Sequence, residues 1–457
     1  MIGSVLAEKG IEGFGGEVIA RGDPRYDEAR ALWNGMIDKQ PTVILRSRSA
    51  ADVAAGLRFA CEQGLTVAVR GGGHGVAGNA LRDDAAVIDL SELKDVSVDS
   101  EARTARAGAG VTLGELDRAT QAHGLAAPLG VVSQTGIAGL TLGGGIGWLR
   151  RKHGLASDNL LSLEVVTADG TVVTASESEN SDLFWGLRGG GAGLGVVTSF
   201  EYRVHPVGPE VMLLFVFYPG ERAGEILGRL DEFTATAPDD VSPLSFLGRV
   251  PHVEDFPEGA HGRPYVAVLA PYIGSVEEGE RVLAPLRELG DAIADFSGPT
   301  TYVEAQAVLD ADYPDGGLYY WKSADLDRLD PEAIDVIASR AAEAPSDEST
   351  IDVWFHGGAM NRIAAEATAF GARPSYLIGV EANWHDPATS DANIAWARDA
   401  VAALEPFSTG GGYLNFPGLF EEGEELLRAS HGAGNYERLV ALRKRYDPTG
   451  LFGGRAG

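Results

Sequence analysis

Two periods run along this chain, one of alternation and one of helical spacing, and glycine clusters separate the runs. In SAADVAAGLRFACEQG (Ser49–Gly64), Val53, Leu57 and Cys61 recur every four residues. A serine stands at the start, an acid follows three residues on, and a glycine ends the run, so the stretch predicts a capped helix. The same spacing makes Cys61 a small core residue. LTVAVR then alternates as a strand and runs into VRGGGHGVAGN (69–79), which holds five glycines and one histidine. AVIDL (86–90) predicts a second, buried strand. TLGELDRATQAHG (112–124) repeats the capped-helix pattern, and LEVVTADGTVVTA (163–175) predicts a hairpin turning at Asp169-Gly170.

Beyond residue 205 the pattern changes. The glycine clusters stop, and amphipathic helices are predicted over 221–236 and 277–290. YVAVLAPY, GLYYWKS, TIDVWFHGG and YLIGVEANW read as strands between helices. Glycine returns in STGGGYLNF, followed by a helix over 436–446. The pattern divides the chain into 1–205, 206–408 and 409–457, an α+β organisation in more than one domain.

Composition narrows the function. A net charge of −29 argues against nucleic acid or an anionic membrane as partner. The single cysteine rules out an intrachain disulfide or a thiolate metal cluster. The nine histidines are scattered without an H-x-x-x-H pair, so no metal site is expected. MIGSVLAEKGIEG has no basic start before an apolar run, and no stretch has the length of a membrane span, so the expected location is cytoplasmic.

Glycine makes up 61 of 457 residues, concentrated around 71–78, 108–114, 136–147 and 186–195. Such loops let an anionic ligand approach the backbone closely. A P-loop is absent. GAGLGVV (191–197) resembles a dinucleotide fingerprint, but a strand follows it where a helix is required. Four separate loops suggest a long ligand lying across the first domain.

VRGGGHGVAGN, VIDLSEL, GIAGLTLGGGIGWLRRKHGLASDNLLSLEVVTADG, DLFWGLRGGGAGLGVVTSFEYRV and YLNF…NYERLVALRKRYDPTGLF occur in this order. Together they resemble the berberine-bridge-enzyme-like oxidases of the vanillyl-alcohol-oxidase superfamily. The resemblance implies a two-domain FAD-binding fold of the vanillyl-alcohol-oxidase type with an antiparallel-sheet substrate domain. Residues 1–205 and 409–457 would then form the FAD-binding domain, and residues 206–408 the substrate domain.

The resemblance also assigns residues. His74 would be bonded to the 8α-methyl of FAD, with Arg70, Gly71, Gly72, Gly73, Gly75, Gly78 and Asn79 around the cofactor. A neutral imidazole is a competent nucleophile near pH 7. Val132 stands where doubly linked members carry cysteine, so a single link is expected. Thr135 stands where a small apolar residue governs oxygen access. Gly136, Gly139, Leu140, Gly143, Gly144 and Gly145 would pass close to the flavin or the pyrophosphate. Asp158, Asn159, Gly195, Val196 and Val197 match further cofactor contacts, and Asn415 would bond the ring.

For chemistry, Tyr413 matches the family's active-site strand, and as a base it needs a lowered pKa. Lys322, on one strand face with Leu318 and Tyr320, is the natural cation for that. Glu381, sharing a face with Asn383, and His356 are the alternative groups. The implied reaction is hydride transfer from an alcohol or amine carbon of a small molecule to FAD, with reoxidation by O2. A carbohydrate or hydroxylated natural product is the first expectation for substrate. A dehydrogenase with another acceptor, an NADPH-dependent reductase and a flavin-binding module remain open alternatives.

Overall fold

In the computed structural model of the chain, which describes residues 10–419, 421 and 423–453, Ser49 Oγ accepts the Asp52 amide at 3.1 Å and opens the helix Ala50–Glu62. Val53, Leu57, Phe59 and Ala60 are buried on one side of it. Cys61 is exposed, against expectation. Two four-residue steps from Val53 carry a side chain about 80° round the helix, so Ala60 takes the core position instead. Thr112 opens the helix Leu113–Gln121, where the Glu115 carboxylate accepts the Thr112 amide at 2.7 Å.

The first layer holds two sheets. One has the strands β1 (Glu17–Ala20), β2 (Val43–Arg46), β3 (Val67–Arg70) and β4 (Ala86–Asp89) in the order β1-β2-β4-β3, with β4 parallel to both neighbours. The other has β5 (Val96–Asp99), β6 (Thr104–Gly108), β8 (Leu160–Val166), β9 (Val172–Ser176) and β10 (Val196–Arg203) in the antiparallel order β5-β6-β10-β8-β9. Hairpin β8–β9 turns at Asp169-Gly170 as its sequence requires. A short ribbon pairs β7 (Leu125–Ala126) with β11 (His205–Pro206). Leu439 and Leu442, on the helix Ala433–Tyr446, and Leu451 join the core of this layer.

The second layer is one eight-stranded antiparallel sheet. It contains β12 (Glu210–Pro219), β13 (Leu244–Arg249), β14 (Pro264–Tyr272), β15 (Ala294–Asp295), β16 (Gly298–Thr301), β17 (Leu318–Leu326), β18 (Thr350–Phe355) and β19 (Tyr376–Trp384). The order is β15-β12-β14-β13-β18-β19-β17, and β16 also pairs with β12.

Alternation divides its two faces. Tyr320, Ala324, Ile351, Val353, Val380 and Ala382 pack into one core with the helices Pro331–Ala342 and Ser390–Leu404. Tyr319, Trp321, Trp354 and Leu377 face the opposite way, into a core shared with Trp33, Val76, Trp148 and Tyr413 of the first layer and the C-terminal segment. This shared core is the place where a ligand can meet both layers.

Two features lock the layers together. On the helix Arg150–His153, the wholly buried Arg150 donates to the Phe355 carbonyl at 3.0 Å and to the Pro243 carbonyl, and Arg151 donates to the His356 carbonyl at 2.8 Å. Residues 409–418 run along the free edge of β17. Thr409 N donates to Asp325 O at 2.8 Å, Asp325 N to Gly411 O at 3.0 Å, and Gly418 N to Trp321 O at 2.6 Å. A covered edge cannot recruit another chain.

Candidate cofactor and substrate site

Strands β3 and β4 are parallel, and the glycine loop leaves the C-terminal end of β3, where open parallel sheets bind ligands. Arg70 ends the strand with Nη1 donating to the Ala29 carbonyl at 2.6 Å, which leaves its Nε without a partner. Gly73 and Gly78 hold left-handed backbone at φ +70° and +64°. Gly72, Gly75 and Asn79 are exposed, and Gly71 packs under Ala109 and Ala138. Gly72 meets Gly136 of the next loop so closely that a Cβ on Gly136 would lie 2.5 Å from the Gly72 nitrogen. Only glycine at both positions permits this crossing.

His74 rises from this loop against an aromatic pile. Its ring stacks on Trp33 at 4.0 Å, and the other side of Trp33 stacks on Tyr319 at 3.9 Å. Trp33 is itself held by a 2.9 Å bond from Nε1 to the Tyr313 carbonyl. The Nε2 of His74 is buried and has no partner. Burial pulls the ring's pKa down to about 4, so it is neutral at pH 7 with a lone pair available. Trp33 carries no periodic signal in the sequence, which left it out of the expected site.

The second glycine loop continues the cradle. Val132 is buried, and its carbonyl accepts the Thr135 amide at 3.1 Å; Thr135 is half-buried. Gly139 is exposed, and Leu140 offers its carbonyl to Asn415 Nδ2 at 3.3 Å. A Cβ on Gly143 would collide with the Asn415 amide. Gly144 and Gly145 take φ +109° and +82° beneath Phe370 and Ala156.

Asp158 and Asn159 are spent on structure. Asp158 forms a bidentate pair with Arg373 at 2.8 and 2.9 Å, and Asn159 Nδ2 bonds the His153 and Leu155 carbonyls. Gly195 has φ +132°, and Val196 and Val197 are buried in β10.

The expected active-site strand is a turn. Among the described residues 411–418 there is no strand; Phe416 N donates to Tyr413 O at 2.8 Å, while Tyr413 N is anchored by Ser323 Oγ at 2.9 Å. Tyr413 Oη accepts from Asn415 Nδ2 at 2.8 Å and Ile146 N at 3.3 Å. Burial outweighs both bonds and raises its pKa, opposite to what a phenolate base needs.

Lys322 does not reach Tyr413 either. Alternation puts it with Leu318 and Tyr320 on the helix-covered face of β17, where Glu421 and Arg398 are its charged neighbours. Burial there lowers its pKa. His356 is buried, with Nδ1 on the Pro374 carbonyl at 3.1 Å. Burial, reinforced by Arg150, depresses its pKa to about 3. With Asp325, Tyr413 and His431 it lines a cavity of roughly one water.

Glu381 faces the shared core. Its Oε2 accepts the Tyr313 hydroxyl at 2.8 Å, and beside it Trp321 Nε1 donates to Asn383 Oδ1 at 2.7 Å. The Asp352 carboxyl, from the same face of β18, meets Glu381 side by side. Burial pushes Glu381 up to about 7 and Asp352 well above its ordinary value, so both carboxyls hold their protons more tightly than exposed acids do. Sequence reasoning missed Asp352, although an acid alternating with Trp354 in TIDVWF was a readable signal.

Segment 41–176 matches the family described as FAD binding domain, and 412–457 the family described as berberine and berberine like. (R)-6-hydroxynicotine oxidase of Paenarthrobacter nicotinovorans is 32% identical over 455 residues, covering 96% of this chain and 95% of that one. The chain belongs to the berberine-bridge-enzyme-like family of FAD-linked oxidoreductases. The crystal structure of 6-hydroxy-D-nicotine oxidase from Arthrobacter nicotinovorans aligns with a TM-score of 0.85 at 30% identity, covering 96% of each chain. BBE-like 1 of Physcomitrella patens aligns with a TM-score of 0.86 at 24% identity, covering 99% of this chain and 97% of that one.

Membership makes this protein an FAD-dependent oxidoreductase, with a two-domain fold of the vanillyl-alcohol-oxidase type. The residues present fit the cofactor: a glycine crossing that any Cβ would block, and a buried imidazole nitrogen without a partner. Among the described residues no helix is long and apolar enough to cross a membrane.

Proposed function

We propose that this oxidoreductase carries FAD bonded once, through His74, and oxidises an alcohol or amine carbon of a small molecule with O2 as final acceptor. The observation that carries the reading is the buried Nε2 of His74, neutral and unpartnered, on a ring fixed by Trp33. A nucleophile held this way needs no further orientation. Val132 offers no thiolate for a second bond. One relative is named as an oxidase of (R)-6-hydroxynicotine, which supports a small-molecule substrate.

FAD supplies the two-electron acceptor for hydride. The chain supplies the rest. Glu381 takes the heteroatom proton of the substrate, since a carboxyl near pH 7 exchanges protons where a raised tyrosine does not. Asn415 keeps Tyr413 Oη and the Leu140 carbonyl in register, which positions the turn under the cofactor loop. The aromatic core of Trp33, Tyr319 and Trp321 excludes water from the reacting carbon.

Acid precipitation tests the bond. Flavin absorbance stays in the wild-type pellet and moves to the supernatant in His74→Ala. Flavin released from the wild type refutes covalent attachment. Stoichiometric peroxide with O2 uptake checks the acceptor, and dye reduction without O2 uptake assigns a dehydrogenase instead.

A further inference from the structure

Tyr313 bonds in two directions. Its carbonyl accepts Trp33 Nε1 at 2.9 Å, and Trp33 is the ring on which His74 stacks at 4.0 Å. Its hydroxyl donates to Glu381 Oε2 at 2.8 Å. One residue therefore touches the support of the cofactor histidine with its main chain and the proton acceptor with its side chain.

Both ends of the residue are held. The chain just beyond it is tied to the first layer: Gly316 N donates to Trp33 O at 2.8 Å, Gly35 N to Gly317 O at 2.8 Å, and Asn34 Nδ2 to Tyr319 O at 2.9 Å. The Tyr313 ring meets Trp321 edge-on at 5.3 Å, and Trp321 is fixed in turn by its bond to Asn383. Burial, then the nearby Glu381, Asp352 and Asp312, raise the pKa of Tyr313 well above its ordinary value. The hydroxyl thus keeps its hydrogen and stays a donor across neutral pH. Three titratable groups face Glu381: Tyr313, Asp352 from β18, and Asp312 from the turn that precedes Tyr313. Burial raises the acid, the Tyr313 hydrogen bond opposes burial, a bond with Asp352 does the same, and Asp312 adds repulsion.

From this geometry we propose that Tyr313 is a positioning residue for the oxidation. Its hydroxyl orients Glu381 and steadies the carboxylate, while its carbonyl holds Trp33 against His74, so acid and cofactor histidine stay in register. The proposal rests on the oxidase reading above, in which Glu381 takes the heteroatom proton. That step moves one proton, from the substrate heteroatom to Glu381, and Tyr313 keeps its own.

Two substitutions separate the two ends. Tyr313→Phe removes the hydroxyl and leaves the carbonyl; Trp33→Phe keeps a ring against His74 and removes the N–H. Infrared titration of holoprotein follows the carbonyl stretch of the protonated acid, each protein read as a difference from itself carrying Glu381→Gln. The wild-type band fades around pH 7. In Tyr313→Phe its midpoint is expected to rise by about one pH unit, with wild-type flavin in the acid-precipitated pellet. Trp33→Phe is expected to attach flavin about tenfold more slowly, with the midpoint unmoved. Fluorotyrosine incorporated at position 313 donates more strongly without deleting the bond, and it should lower the midpoint even if Tyr313→Phe does not fold. A midpoint that stays or falls in Tyr313→Phe, one that does not fall with fluorotyrosine, or wild-type attachment in Trp33→Phe overturns the proposal. Flavin released from the wild-type pellet would instead refute the covalent reading, and the infrared midpoint is scored independently of it.

Discussion

Substituting Gly136 by alanine perturbs the crossing of the two cofactor loops and nothing else. Gly136 has φ −72° and ψ 135°, which any residue adopts, so no backbone strain is added. The cost is purely steric. The new Cβ would lie 2.5 Å from Gly72 N and 2.7 Å from Gly72 Cα, so the loops must separate by about 1 Å to reach ordinary contact. Overpacking of this kind costs about 1–3 kcal/mol, a fall in Tm of about 2–10 °C. The larger effect is on the cofactor. Gly72 is two residues from His74, and a displacement of this size slows a positioned reaction about a hundredfold. Gly228→Ala, on the helix Ala223–Thr236 and outside the cofactor loops, is the control: nothing lies within 4 Å of its Cβ, and alanine in a helix gains about 0.5–1 kcal/mol. The assay pairs thermal unfolding with flavin content of the acid-precipitated pellet, sampled as the apoprotein is incubated with FAD. A Gly136→Ala protein that attaches flavin at the wild-type rate and melts within about 1 °C of it refutes the argument that the loops must touch.

Two further outcomes follow from buried charge. Asp158→Asn leaves the Arg373 guanidinium, whose side chain is only 5% exposed, without its carboxylate, and about 3–5 kcal/mol of stability should be lost in urea unfolding at pH 7; wild-type stability would show that other groups carry Arg373. Glu381 has a folded pKa of about 7 against an ordinary 4.5, so the folded chain holds a proton that the unfolded chain has released between those values. Its contribution to stability is therefore complete below about pH 4.5 and lost as pH rises through 7, and Glu381→Gln should gain about 1–3 kcal/mol on wild type between pH 5 and pH 8; a difference flat with pH refutes the raised pKa.

What the sequence disclosed was local. Ser49 and Thr112 cap helices through bonds to residues three positions away, and Asp169-Gly170 turns a hairpin from within, so no distant contact was needed to read them. The glycine loops were legible for the same reason, since a left-handed φ at Gly73 or Gly145 leaves its mark at that position. Faces were legible only as faces. Alternation correctly grouped Lys322 with Leu318 and Tyr320, but which face of β17 looks toward the cofactor is decided by the helix Ser390–Leu404, more than sixty residues on. Trp33 was invisible because its loop has no period. Its place against His74 is fixed by Tyr319 and the Tyr313 carbonyl, far along the chain. The turn at Tyr413 was expected to be a strand because YLNF matches the active-site strand of the family it resembles. Only the edge of β17, with Ser323 Oγ holding the Tyr413 amide, makes it bend.

The bonds that fix the two layers to each other run through the main chain and not through the side chains on the inner face of the large sheet. Arg150 and Arg151 of the first layer donate to main-chain carbonyls at Pro243, Phe355 and His356, and the C-terminal segment bonds the main chain of β17 at Trp321 and Asp325. Carbonyls are present whatever side chains the sheet carries. The distance between cofactor loop and sheet is thus set by groups that substitution on the inner face does not remove. The side chains of Asp352, Glu381, Tyr265 and Trp321 project from that face and take no part in those bonds. Indeed, a buried acid pair opposes folding above neutral pH unless something cationic meets it. A frame held by the backbone can tolerate such a pair, because none of the bonds that space the two layers runs through the carboxyl of Asp352 or Glu381.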